Sequence, residues 1–258
     1  MKTRPCDPSL GAVALALLGV ASCVSTAGVP VGVRLAIEPT GAGASTTPTG
    51  WRVVLEEARV LLGPLYAYAP EHDAMAWLAP LGASRARAHG GFDPLGGRLV
   101  RFEHLDQIAF DALGGRVDVA IARGLRGAVD EVSVVLDAPR GANAALDGPT
   151  RGHHLSVRGV ATRGGERVDF EGGLDLEEAG IVRRVDGIGV EGPPLDEGST
   201  LLLRVDPARW FAEADFTGLA SPVVLTPSLQ PHRAWRLGAR SSGAYSAQVL
   251  HQLPEGRE

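Results

Sequence analysis

The sequence is nearly without lysine and cysteine. Among its 25 basic residues only Lys2 is a lysine. Chemistry that needs a lysine amine, such as a Schiff base or the phosphate grip of a P-loop, therefore has no candidate beyond position 2. Cysteine stands only at Cys6 and Cys23, too few for a disulfide framework, so the fold must rest on core packing. Aromatic residues are scarce at 5%, which leaves little material for a base-stacking platform. The net charge is −5, whereas a nucleic-acid partner calls for a concentrated positive face. No apolar run approaches the ~20 residues of a membrane-spanning helix.

What the chain does have is glycine, 34 residues in 258, and a hydrophobic fraction of 45%. That combination describes a buried core built from many short elements and turns. At the N-terminus Lys2 and Arg4 precede an uncharged, wholly apolar stretch, Leu10–Val20, followed by the small residues Ala21 and Ser22 and then Cys23. A basic start, a short apolar run and small residues at the cut make a secretory signal peptide. The order Val20-Ala21-Ser22-Cys23 resembles the lipobox of bacterial lipoproteins. The resemblance implies cleavage before Cys23, acylation of that thiol and a membrane partner held through lipid. Val24 follows the cysteine where an inner-membrane retention signal would place aspartate, so the same resemblance points to the outer membrane.

The expected organisation is a leader over 1–22, then Cys23 with a tether, a first strand and a flexible loop over 23–50, then a β-sandwich domain over 51–258. Residues 31–38 alternate, with Val31, Val33, Leu35 and Ile37 on one side, as a half-buried strand does. From Trp51 the alternation slips at Glu56-Glu57 and resumes at Ala58. One extra residue in a strand switches its faces, so a bulged strand is favoured over a helix, with Gly63-Pro64 expected to cut it short. Arg163-Gly164-Gly165-Glu166 separates two alternating runs, and glycines there supply the positive φ of a tight hairpin turn. Thr200–Val205 reads as a strand leading into a short helix, with Asp206 as its cap and Pro207 in its first turn. Tyr245–His251 reads as a last strand. The class expected is mainly β, an antiparallel sandwich or barrel-like domain with one or two short helices.

Candidate chemistry is sparse. His72, Asp73, His89 and His104 surround a glycine-rich stretch and form the best metal set; imidazole and carboxylate suit zinc or copper, and Met75 would add a soft ligand. None of them has the close spacing of a known metal motif. His153 and His154 could serve one ion only from a turn, because neighbours on a strand point to opposite faces. The acidic groups Glu56-Glu57, Asp175 with Glu177 and Glu178, and Glu213 with Asp215 read as solvated surface. No Gly-x-Ser-x-Gly elbow occurs. Gly187–Gly192 spells GxGxxG but runs into Pro193-Pro194 where a phosphate-binding helix would have to begin. Trp210-Phe211 reads as a core plug.

Three stretches carry a further likeness: Trp51-x-Val-x-Leu with Gly63-Pro64-Leu65-Tyr66, then the run His154–Thr162, then Leu201–Asp206 leading into Trp210-Phe211. Together they resemble a group of bacterial envelope lipoproteins and, more distantly, are similar to MbnP-type periplasmic proteins, some of them linked to copper. The expectation is a non-enzymatic envelope lipoprotein whose β domain binds a ligand or scaffolds an envelope protein partner, with no nucleic acid involved. The alternatives are a periplasmic copper- or zinc-binding protein and an envelope hydrolase.

Overall fold

The computed structural model describes residues 28–41, 43–70, 98–138, 150–176 and 183–251. Cys23, His72, Asp73, Met75 and His89 lie outside the described residues. Within them thirteen strands form one connected mixed sheet: β1 (Pro30–Pro39), β2 (Ala44–Thr46), β3 (Arg52–Tyr68), β4 (Val100–His104), β5 (Ile108–Asp111), β6 (Val117–Leu125), β7 (Glu131–Leu136), β8 (Leu155–Arg163), β9 (Glu166–Leu174), β10 (Arg184–Glu191), β11 (Thr200–Val205), β12 (Val223–Val224) and β13 (Tyr245–Leu250). One α-helix, α1 (Gln230–Ala239), and two 3-10 turns, Pro207–Phe211 and Ser242–Ala244, complete the described elements. The class is mainly β, sandwich- or barrel-like, as the alternation predicts.

The pivot is β3. It alternates buried and open residues from Val53 to Leu55, shifts register against β8 between Leu55 and Glu57, and buries Ala58, Val60 and Leu62 beyond the shift. The slip at Glu56-Glu57 is thus a bulge. The strand does not end at Gly63-Pro64. Gly63 takes φ 130°, and a Cβ there would meet the Asp106 carbonyl, so only glycine fits. Through this point β3 continues and exchanges its partners. Its first half pairs with β8 and, on the opposite edge, with β2 and β5; its second half pairs with β7 and β4.

From β7 the path runs β10-β13-β11-β1-β6 and returns to β4 and β3, so the ladder closes on itself. The closing contact is narrow: β4 meets β6 only at Phe102 opposite Gly124. The other wing runs β3-β8-β9-β12. Three pairings are parallel, β1 with β11, β10 with β13, and β9 with β12, so the sheet is mixed rather than wholly antiparallel. The strand expected inside 23–50 is no appendage: β1 lies between β6 and β11, with Val31, Val33, Leu35 and Ile37 all buried. The loop expected at Pro39–Gly50 contributes β2.

The sheet encloses one core. Trp51, Phe102, Phe110, Phe170, Trp210, Phe211, Phe216 and Trp235 all belong to it. The Asp206 side chain accepts from the Ala208 amide and so starts the 3-10 turn that delivers Trp210 and Phe211 inward. Phe211 stacks on Trp235 at 5.8 Å between centroids and meets Phe170 at 5.3 Å. The helix α1 was not foreseen. Its apolar residues Pro231, Ala234, Trp235 and Ala239 are buried, and it lies on the 3-10 turn because Gly238 has no side chain. A Cβ on Gly238 would collide with the backbone carbonyls of Trp210 and Arg209.

The substitution Gly238→Ala is therefore expected to destabilise the domain by about 1–3 kcal/mol, the usual cost of forcing extra volume into a packed contact. Ala ordinarily favours a helix over Gly, so the sign distinguishes packing from propensity. Urea unfolding monitored by tryptophan fluorescence reads the change.

Candidate functional site

The hairpin of β8 and β9 builds the most distinctive polar cluster among the described residues. Gly164 and Gly165 take φ 54° and 92°, and Arg163 pairs with Glu166 across them. Two positive-φ residues are what a type I′ turn requires. That turn fixes the register down to Leu155 opposite Leu174. One step further, His154 lies opposite Asp175, and its amide donates to the Leu174 carbonyl at 3.1 Å.

His153 and His154 occupy the bend that leads into β8, the one setting in which adjacent histidines can share a partner. Nδ1 of His153 lies 2.9 Å from one Asp175 carboxylate oxygen, and Nδ1 of His154 lies 3.6 Å from the other. The His153 ring rests against Gly173, where any side chain would displace it. His232, in the first turn of α1, reaches the same place from the other side. Its ring hydrogen-bonds the Gly173 backbone and lies within electrostatic reach of Asp175. Burial, with Arg236 one turn along the helix, holds the His232 imidazole below the ordinary histidine range. The three rings address a carboxylate and a backbone group rather than a common empty point. Among the described residues no group of three or more His, Cys, Asp or Glu side chains is arranged to hold a metal ion.

Of the metal set expected from sequence, only His104 is described. It ends β4 on the same face as the buried Val100 and Phe102, it is 8% exposed, and its Nε2 has no hydrogen-bond partner among the described residues. Burial without a partner is costly for such a nitrogen. The structure does not bring His104 to the cluster around Asp175.

A second cluster covers the outer side of β3, β7 and β10. Arg184 donates to the Tyr68 hydroxyl at 2.6 Å, to Ser133 at 3.2 Å and to Asp186 at 2.5 Å. Arg98 lies over the Tyr68 ring at 4.9 Å and pairs with Asp130 and Glu131. Cations over an aromatic face are attracted by its quadrupole, so Tyr68 is held from both its ring and its hydroxyl. The segment Gly187–Gly192 belongs mostly to β10 and opens no helix. Glu56 and Glu57 are not bare surface acids: Arg59, Arg151 and Arg158 pair with them at 3.5–4.0 Å.

The third anchor holds Trp51. Its indole N–H donates to Asp215 at 3.1 Å while Arg163 lies over the ring at 4.5 Å. Asp215 also accepts from the Thr217 hydroxyl and amide. These donors hold its carboxyl below the usual carboxylate range. A shallow depression lined by Ala44, Ser45, Thr46 and Arg52 opens nearby along β2.

Sequence reasoning flagged His153, His154 and Asp175 separately and missed His232. Counting outward from the Gly164-Gly165 turn pairs 154 with 175, a signal present in the sequence. Nothing in the sequence places His232 against them, because that contact spans from α1 to the β8–β9 hairpin.

No protein-family model matches the chain, and no curated protein matches it. Among solved structures the chain is similar to MbnP from Methylosinus trichosporium, with 10% sequence identity, coverage of 86% of this chain and 98% of that one, and a TM-score of 0.43. A likeness of that degree carries no functional argument.

Asp215→Asn removes a charged acceptor from a buried indole and is expected to cost about 1–2 kcal/mol at neutral pH, in the range of hydrogen bonds to charged groups at a partly open site. The folded-state carboxyl is more acidic than the unfolded one. Its contribution is therefore full above the unfolded value, about 3.9, and disappears as pH falls through the folded value. The gap between variant and parent in urea midpoint should close as pH is lowered past that window; a gap constant with pH contradicts the assignment.

Proposed function

We propose that the chain is an exported lipoprotein, cut before Cys23 and held at the cell envelope by acyl chains on that cysteine, with a non-enzymatic β domain that binds or scaffolds a partner there. The observation that carries the reading is the N-terminal order: basic start, the apolar run Leu10–Val20, small residues, then Cys23, five residues before the first described residue. No helix among the described residues is long and apolar enough to cross a membrane. The seven residues from Cys23 to the start of β1 at Pro30 span at most about 25 Å. An anchor at Cys23 therefore keeps the start of β1 within that reach of the bilayer surface, and β1 is a central strand bonded on both edges. More than one acyl chain gives a stable anchor, whereas a single chain holds only marginally. By the same reading the outer membrane is the destination.

The test is Cys23→Ser in the full chain. The parent protein is expected to incorporate labelled palmitate and to fractionate with membranes. The variant should lose both, and mass spectrometry should find the parent's leader removed before residue 23. An unmodified Cys23 behind an intact leader refutes the reading.

A second reading, a copper- or zinc-binding envelope protein, draws on His104. A buried imidazole nitrogen without a partner is in the condition of a ligand awaiting its ion, and His72, Asp73 and His89 are the residues that would join it. Calorimetric titration of the purified protein with zinc and with copper is expected to show one site per chain that His104→Ala weakens at least tenfold, as loss of one first ligand should. Absence of stoichiometric uptake removes this reading and leaves the first intact.

A further inference from the structure

Two histidines lie against one carboxylate, and a third beside it, where α1 meets the β8–β9 hairpin. His153 hydrogen-bonds Asp175 at 2.9 Å, His154 lies 3.6 Å from its other oxygen, and His232 binds the Gly173 backbone two residues away. The surroundings differ ring by ring. The His153 side chain is 39% exposed. His232 is 4% exposed, and its Nδ1 has no hydrogen-bond partner among the described residues. The ring meets Trp235 edge-on at 5.9 Å, an apolar neighbour that offers nothing to a second N–H.

Among the described residues Asp175 is the carboxylate at the junction, and His153 and His154 already lie against its two oxygens. A proton on His232 would stand in the first turn of α1, at the positive end of the helix dipole, with Arg236 on the following turn and no acceptor for Nδ1 among the described residues. Among the described residues Arg151 and Glu171 also lie at this hairpin, and Arg151 is already paired with Glu171 and Glu57 at 3.5 Å. A buried unpaired imidazolium is costly.

We propose that His232, seated against the Gly173 backbone beside Asp175, is an acid-operated latch on α1: the helix stays docked while the His232 ring is neutral, and it is released when that ring takes up a proton. Docking of α1 depends on Trp235 and Gly238 lying against Phe211 and Trp210. Release therefore uncovers the aromatic end of the core while the ring of strands through β1 and β11 stays closed. The sign follows from the burial of His232. Its proton affinity is lower when docked than when free, so docking is favoured above the ordinary histidine value, about 6.5, and weakens as pH falls below it.

Hydrogen exchange of the full chain at about pH 7.5 and about pH 5, corrected for intrinsic rates, tests the latch. Protection of α1 amides is expected to fall by up to about tenfold per pH unit below 6.5, one linked proton's worth, while β1 and β11 keep theirs. His232→Gln, whose amide does not titrate, should hold α1 protection level across that range. Asp175→Asn, which removes a carboxylate within electrostatic reach of His232, should deepen the loss at the acid end of the range. Three results overturn the proposal: α1 protection independent of pH, a His232→Gln variant as pH-sensitive as the parent, or loss of protection in β1 and β11 together with α1. Should His232→Gln fail to fold, the ring resonances of His232 in the parent decide. They must titrate in step with α1 opening, and titration without opening overturns the latch.

Discussion

Pairing along β3 is the constraint on which the rest of the structure depends. Its 17 residues bond to five other strands, β2, β4, β5, β7 and β8, more partners than any other described strand has. Two local devices make this possible. The bulge at Glu56-Glu57 changes which side chains face inward, and the backbone at Gly63 lets the strand exchange β8 and β5 for β7 and β4 where a Cβ would strike the Asp106 carbonyl. A straight strand of this length would carry its inward face out of the core as the sheet twists. With the bulge and the glycine, Val53, Ala58, Val60, Leu62, Leu65 and Ala67 are all buried in one core cluster.

Polar groups are tied down around that frame rather than spread over it. Tyr68 is fully buried yet carries a hydroxyl, and Arg184 satisfies it. Trp51 is buried with its indole N–H on Asp215. Tyr245, whose hydroxyl donates to the Ala239 carbonyl at 2.7 Å, is pushed up well beyond the ordinary phenol range by burial alone. The first two anchors cross between elements far apart in the chain and fix tertiary placement, whereas the Tyr245 bond ties the end of α1 to the start of β13 six residues on. Arginine supplies most of the cations. Its planar fork reaches several acceptors at once, as Arg184 does with Tyr68, Ser133 and Asp186.

The histidine cluster follows a different rule. Its carboxylate is shared among rings that differ in hydration, and two of the three come from consecutive residues. Had His153 and His154 both lain within β8, alternation would have sent them to opposite faces. The bend before Leu155 lets both turn to Asp175.

Much of the chain was legible from sequence alone, because its signals are local. Alternation marked β1, β3, β8, β9, β11 and β13, the paired glycines marked the hairpin, and Asp206-Pro207 marked the turn that buries Trp210 and Phe211. Those features depend on the preferences of neighbouring residues for one face, one φ or one cap. The tertiary structure alone decided what depends on distant residues: the passage of β3 through Gly63-Pro64 instead of ending there, the parallel neighbours of β1, β10 and β9, the incorporation of β1 into the domain, and the docking of α1. His232 reaches the Gly173 backbone for the same reason. Residues 59 positions apart meet only after the core has closed, and no period or spacing along a chain records which surfaces burial will press together.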